Sequence, residues 1–198
     1  MGTLLPFLRP GALKTPLPLS LRERVQLFVQ CAAIVASLAM VPRLVVKASG
    51  ADATGVASSG SAPNVHATLL ANGPPGARTI DLASLRGHVV VLDFWATWCG
   101  PCNVTSPILD AFAKAHAAEG VTVVGISQDS DVDDVHSWLG RHQVSYVVAH
   151  DTDSSAGRAF SVTNLPTLVV IDAEGNVRAR RVGVTQRGEL ERLLAALR

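Results

Sequence analysis

The chain has 198 residues, enough for one domain with an extension or for two small domains. Its formal net charge is +1 and no Lys/Arg cluster is interleaved with aromatics, which excludes a nucleic-acid-binding surface. Apolar residues make up 48% and the mean hydropathy is +0.30, high for a soluble domain, while three cysteines are too few for a disulfide framework.

Residues 1–24 form a basic lead: Arg9, Lys14, Arg22 and Arg24 stand against Glu23, with prolines and no helical periodicity. Residues 25–41 are an uncharged apolar run that reads as an export signal or an N-terminal membrane anchor. At about 17 residues it is short for a spanning helix and slightly long for a cleaved signal core. As ordinary structure it would be a buried helix, but it is uniformly apolar rather than amphipathic. Cys31 within it reads as a small apolar residue. The unselected look of the proline-rich lead also suggests a translation start further downstream. Residues 42–63 are a flexible linker, composed from 48 onwards mostly of Ala, Ser and Gly, with too little apolar surface to order itself. The globular domain then spans residues 64–198.

Within that domain two β-prone runs, Val65 to Leu70 and Ala77 to Ile80, flank a Gly/Pro turn and predict a hairpin. Asp81 to Gly87 suits one helical turn ended by glycine. Val89 to Trp95 is a near-continuous apolar strand of the kind covered on both faces. A helix is expected from Cys99 to Ala118, kinked by Pro107. Val121 to Ile126 is a second buried strand, Asp131 to His142 a helix with acids in its first turn, and Val144 to Ala149 a short strand. Thr152 to Phe160 reads as a short helix. The chain closes with strands at Thr167 to Ile171 and Val177 to Val182 around a turn, then an amphipathic helix from Gln186 to Leu197. Alternating β and α elements closed by a hairpin and a helix give a three-layer α/β domain with a mixed central sheet.

The chemistry centres on Trp98-Cys99-Gly100-Pro101-Cys102, where a buried strand feeds a Cys-x-x-Cys into a helix start. That is the placement of a dithiol redox site, because unpaired N–H groups and the helix dipole favour a thiolate there. Gly100-Pro101 is tolerated because the first helical turn needs no proline N–H. The competing reading, half of a zinc site, lacks two further ligands: there is no second pair, and no histidine lies within four residues of a cysteine. No metal and no cofactor is expected beyond a redox-active Cys99–Cys102 disulfide.

These residues resemble the thioredoxin fold. The motif, Pro107 five residues after the second cysteine, Leu165-Pro166-Thr167 before the late strand, and Gly183 after the hairpin all match it. The leading hairpin and the extra strand-helix at Val144 to Phe160 resemble its TlpA/ResA-like branch of exported or membrane-tethered thiol-disulfide oxidoreductases, over residues 64–198. The resemblance implies that Cys99 attacks a substrate disulfide and Cys102 resolves the mixed disulfide. It implies that Asp93 is the buried acid exchanging a proton with Cys102, although an ordinary strand-end Asp is the simpler alternative. It implies that Pro166 is a cis-proline facing the dithiol, leaving the Leu165 backbone to pair with substrate; a trans strand-start proline is the alternative. Trp98, Gly100, Pro101, Leu165, Pro166 and Gly183 would form the substrate-binding surface, with Trp95 in the core. A Gly-Pro pair goes with reducing members.

Two positions depart from the pattern. Thioredoxins pair the buried acid with a lysine on the next strand, where this chain has Gly125, so proton relay through water is expected. Members dedicated to cytochrome c maturation carry an acid three residues after the second cysteine, where this chain has Thr105. The expectation is a monomeric protein-disulfide reductase on the periplasmic side of the cytoplasmic membrane, supplied with electrons by a DsbD-type membrane thiol carrier. Dedicated cytochrome c maturation and a copper-delivery module of thioredoxin fold are the alternatives, the latter short of a third ligand; a non-catalytic binding module is a further one. His88, His136, His142 and His150 are expected at the surface, and Arg178, Arg180 and Arg181 on a solvated hairpin face.

Overall fold

The computed structural model describes residues 60–198, together with 20–22, 26 and 30. The lead, the apolar run and the linker therefore lie almost wholly outside the described residues. Among the described residues no helix is long and apolar enough to cross a membrane.

Residues 60–198 build a seven-stranded mixed sheet. The strands are β1 (His66–Ala71), β2 (Thr79–Asp81), β3 (Val89–Trp95), β4 (Val121–Ser127), β5 (Val147–His150), β6 (Thr167–Ile171) and β7 (Val177–Val182). Their order across the sheet is β2-β1-β5-β4-β3-β6-β7. The central trio β5, β4 and β3 is parallel, while β1 and β2 on one side and β6 and β7 on the other run antiparallel to their neighbours. The helices are α1 (Gly100–His116), α2 (Val132–Arg141), α3 (Ser155–Ala159) and α4 (Arg187–Ala195).

The apolar run of β3 is explained by the two cores it separates. Val91 and Trp95 face one core, with Leu109 and Phe112 of α1, Val135 and Trp138 of α2, and Leu190 and Leu194 of α4. Val90, Leu92 and Phe94 face the other, with Ala156 of α3 and Phe160, Val65, Ala67 and Ile80. Strand alternation places successive side chains on opposite faces, so a strand covered on both sides must be apolar throughout. Asp93 breaks that rule, and its parity puts it on the α1 side.

The boundaries follow local chemistry. Asp131 caps α2 by accepting the Asp133 N–H at 2.9 Å. The first long helix ends at His116 rather than Ala118, passing into a 3-10 turn, and Gly120 at φ +74 supplies the left-handed stop. Strand β5 begins at Val147, not Val144, because Ser145 is held back: its N–H and hydroxyl both donate to Asp110 of α1 at 2.7 Å. Residues 60–62 pair with the β6–β7 turn, through Ala62 N–H to Gly175 O at 2.8 Å and Val177 N–H to Gly60 O at 3.0 Å. That turn lies at the opposite end of β6 from Pro166.

Candidate redox site

Cys99 lies at the junction of strand and helix. It is the N-cap of α1 with extended backbone, φ −85 and ψ 103, and its Sγ accepts the Cys102 N–H at 3.2 Å. Cys99 and Cys102 are joined in a disulfide, with Cα atoms 5.2 Å apart. Both are buried, at 4% and 2% exposure, while Gly100 and Pro101 between them are exposed. Proline fits here because the first-turn N–H groups have no intrahelical partner in any case. The Cys99 sulfur thus sits at a helix start, beside the Cys102 N–H, where an anionic sulfur is favoured.

Around the disulfide the chain gathers the positions that resemblance singled out. The Leu165–Pro166 peptide is cis. Thr167 pairs with Phe94, so the buried Pro166 stands level with the end of β3 that leads to the cysteines. Leu165 packs, half-buried, against the core cluster that contains both cysteines. Gly183 donates its N–H to Pro166 O at 2.9 Å from φ +92, a conformation that favours glycine. Trp98 is 72% exposed and Trp95 only 2%. In residues 60–198 the exposed large apolar side chains are Trp98, Val104, Val182 and Val184, which flank the motif and Gly183. Exposed apolar surface concentrated beside a reactive group suits docking of another polypeptide.

Asp93 lies beneath. It is 2% exposed, its Oδ1 has no hydrogen-bond partner among the described residues, and burial pushes its carboxyl pKa up from 3.8 to about 7. Its partner across the strands is Gly125. A Cβ at Gly125 would meet Trp95 Nε1 and the Tyr146 ring at 3.1 Å each, so aromatic edges fill the place of a side chain there. The Trp95 Nε1 is also without a partner among the described residues. Tyr146 shares a 2.9 Å hydrogen bond with Ser106. Burial pushes the Tyr146 hydroxyl up and the Asp93 charge adds to it, so the phenol stays neutral. The acid thus faces aromatic edges and a neutral hydroxyl pair. Thr105, buried, donates its hydroxyl to Pro101 O at 3.2 Å.

Two expectations are corrected. His150 is not a surface residue: it is 4% exposed, and its Nε2 donates to Asp129 O at 2.8 Å, which compensates burial of the ring. The arginine cluster is only partly solvated, since Arg180 donates to the carbonyls of Phe160 and Ser161 and Arg181 pairs with Glu189. Among the described residues no group of three or more His, Cys, Asp or Glu is placed to hold a metal.

Sequence reasoning missed Asp129, Thr97 and Asn103. Asp129 opens the run Asp129-Ser130-Asp131-Val132-Asp133-Asp134, which reads as a solvated helix start, yet it is 4% exposed. No pattern in the sequence separates it from its exposed neighbours; only the pairing of β4 with β3 turns it inward, beneath Thr97.

Comparison with known proteins agrees with this architecture. A family model described as Redoxin matches residues 57–197. The chain is 34% identical over 100 residues to the thiol-disulfide oxidoreductase ResA of Bacillus subtilis (strain 168), covering 50% of this chain and 56% of that one. The chain therefore spans little more than half the length of that curated relative. Among solved structures it is similar to one titled a putative thiol:disulfide interchange protein DsbE from Chlorobium tepidum, with TM-score 0.65 and 28% identity over 72% of this chain and 98% of that one. It is also similar to a secreted Mycobacterium tuberculosis disulfide oxidoreductase described as homologous to E. coli DsbE, with TM-score 0.57 and 30% identity over 67% of this chain and 96% of that one.

Proposed function

The chain belongs to the redoxin family, in its TlpA/ResA-like branch, and on that footing we propose that it is an exported or membrane-anchored reductase of protein disulfides. The observation that carries this reading is the Cys99–Cys102 pair at the N-terminus of α1, directly beyond the buried end of β3.

In the reduced protein the Cys99 thiolate attacks one sulfur of a substrate disulfide. A new S–S bond forms, the substrate S–S bond breaks, and the second substrate sulfur leaves as a thiolate. Cys102 then gives up its proton and attacks Cys99, forming the intramolecular disulfide and expelling the first substrate sulfur. Two electrons pass to the substrate, and two protons complete its thiols. Asp93, with its pKa raised to about 7, suits the acceptance of the Cys102 proton. With no lysine beside it, that proton moves on through water. Trp98, Gly100, Pro101, Leu165, Pro166 and Gly183 form the docking surface for an extended segment of substrate.

A DsbD-type membrane thiol carrier would restore the dithiol, on the periplasmic side of the cytoplasmic membrane, with the apolar run of residues 25–41 as signal or anchor. The buried Thr105 in place of an acid favours a general protein client over a dedicated apocytochrome.

Insulin reduction in the presence of a thiol reductant tests the activity. The natural chain is expected to accelerate insulin precipitation, and Cys99→Ser to return it to the uncatalysed rate. Equal rates for the two would overturn the reading.

A further inference from the structure

We propose that Asp129 is a positioning residue for the dithiol, acting through Thr97 on the loop that carries Cys99. The proposal rests on Cys99–Cys102 being the working redox pair.

The loop from Ala96 to Cys99 is packed into the core at its two ends, Ala96 and Cys99, while between them Thr97 is only half-buried and Trp98 is 72% exposed. Thr97 is where it is gripped. Its N–H donates to the Asp129 carboxyl group at 3.0 Å to Oδ2 and 3.2 Å to Oδ1, and its hydroxyl donates to Oδ1 at 2.7 Å. On the other side, Thr97 O accepts the Asn103 amide at 3.4 Å, and Asn103 Oδ1 accepts the Trp138 Nε1–H at 2.9 Å. The residue two before Cys99 is thus tied both to the turn after β4 and, through the first turn of α1, to α2.

Asp129 is itself immobilised. The Ser127 hydroxyl donates to its Oδ2 at 2.7 Å, its own N–H donates to Ser127 Oγ at 3.1 Å, and buried His150 donates to its carbonyl at 2.8 Å. Gln128 N–H adds a bond to Trp95 O at 2.8 Å, at the root of the loop. A buried carboxyl group whose two oxygens accept four hydrogen bonds from three donors, on two segments, holds a fixed geometry.

Its importance rises when the disulfide is reduced. The covalent tie between Cys99 and Cys102 is then gone, and the place of the Cys99 sulfur against the Cys102 N–H depends on the loop. A firm clamp keeps that sulfur at the helix start, where the thiolate is favoured. It also keeps the two thiols close, which raises their effective concentration and favours the disulfide.

The test measures the equilibrium of the dithiol with glutathione and the pH dependence of Cys99 alkylation in Thr97→Val and Asp129→Asn, with thermal unfolding alongside. Asp131→Asn is the control: it removes a negative charge from the start of α2, which the helix dipole favours there, and does not touch the loop. Thr97→Val keeps the shape of the side chain and leaves all charges in place. Both loop variants are expected to shift the equilibrium about tenfold toward the dithiol, a rise of about 30 mV in potential, because the loss of proximity between the thiols outweighs the opposing loss of thiolate stabilisation. Both are expected to move the alkylation midpoint to higher pH, while Asp131→Asn lowers only the melting temperature. Loop variants that melt earlier yet keep the natural equilibrium constant and alkylation profile would overturn the proposal and leave Asp129 a structural residue. An Asp129→Asn that lowers the alkylation midpoint while Thr97→Val leaves it unmoved would also overturn it, since Asp129 would then act by its charge. Failure of the natural chain to reduce insulin would remove the proposed activity, yet the glutathione equilibrium would still report on the clamp.

Discussion

Asp93 contradicts its surroundings: an ionisable side chain in the middle of the apolar run of β3, with an oxygen lacking any partner among the described residues. Its pKa, raised by burial from 3.8 to about 7, has a thermodynamic consequence. Between those two values the folded chain holds a proton that the unfolded chain has released, so stability falls as pH rises. The cost is absent below the unfolded pKa and complete above the folded one, where it is on the order of 4 kcal/mol. Denaturant titrations of Asp93→Asn at pH 4 to 8 should therefore show a gain over the natural chain that grows up to about pH 7. The same variant should turn over substrate more slowly near neutral pH if the carboxylate accepts the Cys102 proton. A constant offset at every pH would contradict this account of the site.

At the scale of elements, the junctions between β3, β4 and α1 position the site. Gly125 on β4 lies directly across from Asp93, and its missing side chain leaves room for the Trp95 edge and the Tyr146 ring. Trp95 is also packed on Trp138, with ring centroids 4.5 Å apart, so neither ring has room to retreat. Gly125→Ala should therefore destabilise the fold by about 1–3 kcal/mol, the usual cost of overpacking, measured as a lower denaturant midpoint with unchanged slope. These junctions also explain what the sequence could reveal. The run Val89 to Trp95, the cysteine spacing and the apolar positions of α4 are periodic or local patterns, and each was legible. The inward turn of Asp129, the burial of His150 and the delayed start of β5 depend on contacts across distant segments, such as Ser145 with Asp110, and no local pattern encodes them. The acid at 93 was legible only because it interrupts an apolar strand; its neighbours Tyr146 and Ser106, far apart in sequence, were not.

The whole molecule sets the two cysteines at one end of the sheet and the start of the described domain at the other. Residues 60–62 pair with the β6–β7 turn, whereas Pro166 and the exposed Trp98 lie where β6 begins and β3 ends. What the dithiol does depends on its tendency to give up electrons. The reduction potential of Cys99–Cys102, measured by equilibration with a glutathione buffer, tests the reductase assignment most directly. The account predicts a value near that of thioredoxin, about −270 mV, while a value near that of DsbA, about −120 mV, would make the protein an oxidant and contradict it.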